Sequence, residues 1–452
     1  MLHCGLFSAY LWCEFVLFAS TTLIIFFGYS WGSLPHRYLN AVRKIQDAFY
    51  NVYPPELWEN DPWDQMIDTT ASGILKRVES RLSDFEIVKD HPNGMLDVQM
   101  ELVNSGIQSI IKDDVKSMFD LSPDLRRYEF TQDMWNRITD KPHLKALYAT
   151  SVAFRVGILF PVRVSLYLTS FLYVAICCIL ALLVNFTDKQ KTAIAVTYCR
   201  LYTAGTGLVA RYHNIEHRPS RPGVAVSNHL SPNDIQIICA DVDPNREYLY
   251  IVTGQKHTGI IWAIERLVEQ LCPSMWLERT NAEERLKFQQ DVLRVARSSG
   301  PVLIFPEGYC TNNTKVLQFR KAVFGENVQI HPVALKQNAR YGDAFWWEDN
   351  FGKYLIRLLT SWATVYDITY LPAQTRLPGE TAEEFASRVQ QLIAEAIDVD
   401  PSPYDGGVYY KKHMREKYKK IIQEQCAQEL VVSSRRNSPD PYLSSGPDEK
   451  VM

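Results

Sequence analysis

Gly223-Val224-Ala225-Val226-Ser227-Asn228-His229-Leu230-Ser231-Pro232-Asn233-Asp234 is the stretch on which the reading of this 452-residue chain turns. Its first five residues form a short run of the kind found in a strand buried on both faces. Ser231 is a good helix N-cap and Pro232 suits the first helical position, so a helix is expected with Asp234 in its first turn. His229 then sits in a strand-to-helix turn, where its imidazole can reach Asp234 although five residues separate them. A carboxylate bound to one ring nitrogen fixes the tautomer and supports the charge that forms when the other nitrogen takes a proton. Such a pair is a general base for activating a hydroxyl, worth about 10²–10⁴-fold in rate. A bare H-x4-D spacing is common and equally fits a turn histidine capped by chance. The strand before it, Asn228 and the Ser-Pro start make this instance specific.

Downstream, short β-like runs alternate with amphipathic helices. Glu247–Val252, Ser274–Glu278, Pro301–Phe305, His331–Leu335 and Ala363–Tyr370 read as strands. His257–Leu271 and Asn281–Arg297 read as helices, the second opened by a Thr280/Glu283 capping box. Thr381 and Glu384 form another box, before a helix whose apolar face includes Phe385, Val389, Leu392 and Ile393. This alternation indicates an α/β domain with a mixed or mostly parallel sheet flanked by helices, over residues 188–400. Pro332 places its strand at an edge or its start at a terminus.

A second block, Phe305-Pro306-Glu307-Gly308-Tyr309-Cys310-Thr311-Asn312-Asn313-Thr314, follows the Pro301–Ile304 run. Glu-Gly at a strand end offers an acceptor and exposed amides where α/β sites usually lie. Lys315, Arg320 and Lys321 follow within reach of an anion. The rival reading is a polar loop holding itself by Asx turns. A third block, Trp276-Leu277-Glu278-Arg279, puts an arginine suited to bidentate phosphate binding at a strand end, with an ion pair to Glu283 or Glu284 as the rival. Cys310 beside the Glu-Gly loop is a weaker nucleophile candidate, because a base already stands in the His block.

These blocks, in this order, resemble the glycerolipid acyltransferases of the lysophosphatidate-acyltransferase superfamily, whose hallmark is H-x4-D followed by F-P-E-G. With Ile330–Lys336, Gly342–Trp346, Thr360–Ala363 and Asp405–Gly407, the likeness narrows to the animal microsomal glycerol-3-phosphate acyltransferases and spans roughly Leu82 to Lys419. The resemblance implies an enzyme of the endoplasmic reticulum membrane or lipid droplets. It would move an acyl group from acyl-CoA to the sn-1 hydroxyl of glycerol 3-phosphate, giving lysophosphatidate for phospholipid and triacylglycerol synthesis. It implies His229 as base and Asp234 as its orienting partner. Asn228, Arg279, Glu307, Gly308, Arg320 and Lys321 are implied for substrate binding, and no metal or prosthetic group is needed. Tyr309 and Ala322 stand where the family usually has Thr and Gly, which bears on acceptor fit. A lysophosphatidate or other lysophospholipid acyltransferase, and a silent membrane scaffold, are the alternatives.

Two apolar runs tie this domain to a bilayer. Leu11–Tyr29 is broken only by Glu14, and no basic region or small-residue cleavage site marks it as a signal peptide. Val164–Val184 carries no charge over 21 residues, about the length that spans a bilayer core. Val156–Phe160 before Pro161 adds a re-entrant hairpin as a second possibility, and a buried core helix is the bland alternative. The expected organisation is an anchor (1–36), a helical or mixed region (37–145), a membrane segment (146–187), the catalytic domain (188–400), a basic helix (401–432) and a disordered tail (433–452). Helical pieces are expected at Val98–Ile111 and Asp114–Phe119. Nine Cys with no C-x-x-C spacing fit neither a disulfide framework nor a zinc site. Forty-eight Lys and Arg against 51 Asp and Glu give a net charge of −3, which argues against nucleic acid as a partner. Any phosphate recognition must therefore come from a local cluster. The sequence is silent on oligomeric state.

Overall fold

The computed structural model describes residues 2–50, 117–122, 135, 138–255, 266, 269–277 and 282–407. The helices expected at 98–111 and 257–271, the Thr280 cap, the basic run from Lys411 and the tail lie wholly or mostly outside these residues. Met1–Pro54 and Met118–Gly406 form one unit. In chain order its elements begin with helices α1 (Leu2–Phe26), α2 (Leu34–Tyr50), α3 (Pro142–Phe154), α4 (Phe160–Ala181) and α5 (Asp188–Gly205). Then come β1 (Leu208–His213), β2 (Val224–Ser227), α6 (Asp234–Ala240), β3 (Ile251–Gln255), β4 (Ser274–Leu277), α7 (Ala282–Ser298) and β5 (Val302–Ile304). The last are β6 (Lys315–Val316), β7 (Ile330–Asn338), α8 (Phe351–Thr360), β8 (Thr364–Tyr370), α9 (Ala382–Ile397) and β9 (Asp400–Pro401).

Seven strands form one sheet in the order β1-β8-β7-β2-β5-β3-β4. All neighbours are parallel except β7 and β8, so the sheet is mixed and mostly parallel. β2 is central and wholly buried, and its side chains alternate between two cores. Ala225 packs with Ile237 and Ile238 of α6 on one face. Val224 and Val226 pack with Val292 of α7 and with Phe385 and Val389 of α9 on the other. Thr381 and Glu384 form the expected reciprocal box at the start of α9.

Three local expectations give way. Pro332 lies in β7, an interior strand, paired with Val226 of β2. It is tolerated because pairing with β8 begins only at Val333. The Pro332 carbonyl points to that side, where it accepts from the amide of Leu371 just beyond β8, so the missing N–H falls at the end of the β7–β8 ladder. β3 starts at Ile251 and not at Glu247, because Leu249 and Tyr250 are buried as core residues of a loop. α6 starts at Asp234, two residues later than the Ser-Pro pair suggests, although the Ser231 hydroxyl accepts the Asn233 amide at 3.2 Å as a cap would while donating to the Asp234 carboxylate.

Pro142–Ala181 is one continuous apolar helical run, so no hairpin reverses the chain within it. One wider, π-type turn at Arg155–Leu159 precedes Pro161. Proline has no N–H for the carbonyl four residues back. That carbonyl, on Gly157, instead accepts from the Tyr10 hydroxyl of α1 at 2.8 Å. Only 6% of the apolar window in α1 and 22% of that in the long run is buried in protein, which disfavours core helices and ties the chain to a membrane. The Arg163 guanidinium donates to the carbonyls of Leu359, Ser361 and Trp362, joining α4 to the end of α8. Cys13, Cys177, Cys178, Cys199, Cys239, Cys272 and Cys310 are free thiols.

Candidate active site

The His and Glu blocks lie at the carboxyl ends of adjacent parallel strands, β2 and β5, the usual place for an α/β site. His229 Nδ1 donates to Asp234 Oδ2 at 2.9 Å, so on this tautomer Nε2 is the ring nitrogen that is not bound to the carboxylate. The imidazole stacks on Phe305 with centroids 4.2 Å apart, so ring plane and hydrogen bond together fix its orientation. The Asp234 carboxylate is fully buried and heavily solvated by protein. Oδ2 also accepts the amides of Leu230 (2.6 Å) and Ser231 (3.0 Å), and Oδ1 accepts the hydroxyls of Ser231 (3.0 Å) and Tyr366 (3.1 Å). Together with the bond to His229, these contacts fix the carboxylate in place as an anchor for the imidazole.

Burial opposes protonation of His229, but the neighbouring Cys310 sulfur and the Asp234 carboxylate outweigh it and hold the imidazole well above the usual range. The Glu307 side chain is buried completely. Its Oε1 accepts the His229 amide at 2.7 Å and its Oε2 accepts the Leu317 amide at 2.8 Å. Burial pushes the Glu307 carboxyl up to about 8 against these two hydrogen bonds. The His229 carbonyl accepts from the Thr311 amide at 2.9 Å, so the Glu block grips both ends of the His229 residue.

A family model described as "Acyltransferase" matches residues 209–336, which contain both blocks. The chain is 30% identical to glycerol-3-phosphate acyltransferase 3 of Rattus norvegicus over 412 residues, covering 85% of this chain and 87% of the relative. It is 31% identical to the Homo sapiens protein of that name over 385 residues, covering 80% and 85%. It is 29% identical to Homo sapiens glycerol-3-phosphate acyltransferase 4 over 405 residues, covering 88% and 84%. This chain belongs to the glycerol-3-phosphate acyltransferase family.

In this acyltransferase the residues singled out from the sequence fall into three groups. His229, Asp234, Glu307, Gly308 and Arg320 come together. Gly308 adopts φ +71°, and a Cβ there would lie 2.8 Å from the Arg320 guanidinium, so glycine admits that close approach. Arg320 also stands over the Tyr309 ring at 5.5 Å. Asn228 holds protein: its amide group exchanges two 2.8 Å hydrogen bonds with the backbone of Leu335 on β7. Lys321 turns away to an exposed ion pair with Glu383. Arg279 lies outside the described residues.

The sequence did not single out the supports of the pair. Tyr366 comes from β8, more than 130 residues beyond Asp234, and no local spacing announces it. Asn233 links the Tyr202 hydroxyl (2.7 Å) to that of Tyr354 (2.6 Å), which donates to the Ala344 carbonyl. The Asn-Asn-Thr sequence at 312–314 is likewise structural. Asn312 donates to the Asp120 carbonyl, and Asn313 donates to the Leu335 carbonyl while accepting the Gln337 amide.

Proposed function

We propose that this chain transfers a fatty acyl group from acyl-CoA to the sn-1 hydroxyl of glycerol 3-phosphate at the endoplasmic reticulum membrane, releasing lysophosphatidate and CoA. The observation that carries the reading is the His229–Asp234 pair, at 2.9 Å, in a chain of this family. His229 Nε2 takes the hydroxyl proton as the oxygen attacks the thioester carbonyl. The tetrahedral intermediate collapses, the C–S bond breaks, and the CoA sulfur leaves with the proton held on Nε2. Asp234 keeps the proton on Nδ1 and supports the transient imidazolium. Arg320 binds the acceptor phosphate, held in place by Gly308 and Tyr309, with Arg279 as a second cation. Asn228 and Glu307 serve the site by holding backbone. Direct transfer by this route calls on acyl-CoA as co-substrate and on no metal or prosthetic group.

Purified membranes given labelled acyl-CoA with either glycerol 3-phosphate or lysophosphatidate test the acceptor. Acylation of lysophosphatidate alone would replace this reading with the lysophospholipid one. His229→Ala should lose transfer while expression and membrane association persist; equal activity in the variant would remove the mechanism.

A further inference from the structure

α2 has one face committed to the catalytic unit and one face that is not. Leu39, Val42 and Phe49 are buried, and Leu39 packs with Ala363 and with Val365 of β8. Successive helical residues are rotated by about 100°, which brings Arg37 and Lys44 onto the opposite face and His36 and Arg43 onto the flank beside it. All four are exposed. The acidic residue of α2, Asp47, is paired with Arg340. Among the described residues no carboxylate pairs with Arg37, Arg43 or Lys44. Arg211 of the edge strand β1 extends the patch, its Nη2 lying 3.4 Å from His36 Nδ1. Arg37, Arg43, Lys44 and Arg211 thus concentrate positive charge on a chain whose net charge is −3.

The position of this face selects its partner. The apolar helix α1 ends at Phe26 and α2 starts at Leu34. The short connection turns through Gly28 and Gly32, both at positive φ. Basic residues that close to the end of an apolar helix lie at the depth of lipid headgroups, and headgroup phosphates and carboxylates attract them. We propose that the exposed basic face of α2, extended by Arg211, seats the headgroups of anionic lipids in the bilayer that holds α1. The contact fixes how the catalytic unit stands on the membrane surface, because the other face of the same helix is packed on β8. None of its residues belongs to the acyl-transfer machinery.

One Lys or Arg beside an anionic surface changes affinity about fivefold, so three change it by about 10²-fold. The test titrates detergent-purified full-length protein with phosphatidylserine and, separately, phosphatidylcholine of the same acyl chains. Bound lipids are counted by native mass spectrometry. The expected result is retention of phosphatidylserine over phosphatidylcholine in the unmodified protein. That preference should collapse by ~10–10²-fold in R37Q/R43Q/K44Q, with acyl transfer in detergent unchanged as the check that the variant folds. An unchanged preference in the variant, or none in the unmodified protein, overturns the proposal. So does displacement of bound phosphatidylserine by free CoA at equal concentration, which would mark the face as a co-substrate site.

Discussion

Glu307→Gln separates a residue that holds the protein from one that holds the substrate. The carboxylate is fully buried and takes the His229 amide at 2.7 Å and the Leu317 amide at 2.8 Å. Glutamine keeps the volume and one acceptor. Its NH2 must then face one of the two amides, leaving a buried donor unsatisfied at a cost of about 1–3 kcal/mol. At about 2–4 °C per kcal/mol, a loss near 2 kcal/mol lowers Tm by ~4–8 °C. If the His229 side yields, the imidazole shifts against Asp234 and Phe305, and a displacement of about 1 Å costs ~10²-fold in rate. The expectation is a kcat reduced by ~10–10²-fold with KM for glycerol 3-phosphate within about twofold. A pH series adds an independent reading. The folded Glu307 value, about 8, lies above the ordinary 4.5 because of burial. Folding therefore takes up a proton between those values, and the native state loses stability as pH rises from about 4.5 through about 8. That slope should be missing in Glu307→Gln. A variant with unchanged kcat and Tm and a raised KM for glycerol 3-phosphate would refute the argument, because it would put the carboxylate on the acceptor.

Since His229 works deprotonated and is held above the ordinary imidazole range, the acid limb of kcat/KM should fall above the ordinary histidine value of 6.5. Asp234→Asn should lower that limb and cut kcat by ~10²–10⁴-fold; a limb at or below 6.5 in the unmodified enzyme contradicts the site electrostatics. Tyr366→Phe removes one hydrogen bond to a buried carboxylate, worth about 1.5–3 kcal/mol at most. It should reduce kcat by ~3–10-fold with both KM values unchanged, since Tyr366 positions Asp234 and does not face substrate. Arg320→Gln should raise KM for glycerol 3-phosphate by ~10-fold or more, while Lys321→Gln, whose ammonium is engaged with Glu383, should change it little; steady-state kinetics in both substrates separates the two.

The central strand, the flanking helices and the His-Asp pair could be read from the sequence because each is local. Apolar runs, caps and a five-residue spacing report on residues that are neighbours along the chain. Glu307 shows where that stops. A Glu-Gly at a strand end has the chemistry of an acceptor site, and nothing in the local pattern says that two amides from other segments will occupy both oxygens. Asn228 is the same case, its amide group paired with Leu335 of a strand more than 100 residues away. Lys321 and Arg320 are adjacent and equivalent by composition. One turns toward Glu383 of α9 and the other toward Gly308, a division made by tertiary packing. The start of β3 moved for a related reason, because core burial of Leu249 and Tyr250 decided where regular pairing begins.

The ties at Asn228, Glu307 and Asn313 share one property: each is made to a peptide group, at His229, Leu317, Leu335 and Gln337. Peptide groups are common to nearly every residue type. Side chains at positions 317 and 335 can therefore be exchanged for others of similar bulk without undoing these keys, proline excepted at both because each amide donates. The number of residues between the keys has no such freedom. One residue inserted between Glu307 and Leu317 moves an amide by up to about 3.3 Å along the chain, well beyond hydrogen-bond reach. The loop that grips the base is thus tolerant of spelling away from Glu307, Gly308 and Asn313 and intolerant of spacing, so a library of single deletions across 305–317 should be far more damaging than a library of substitutions at its other positions.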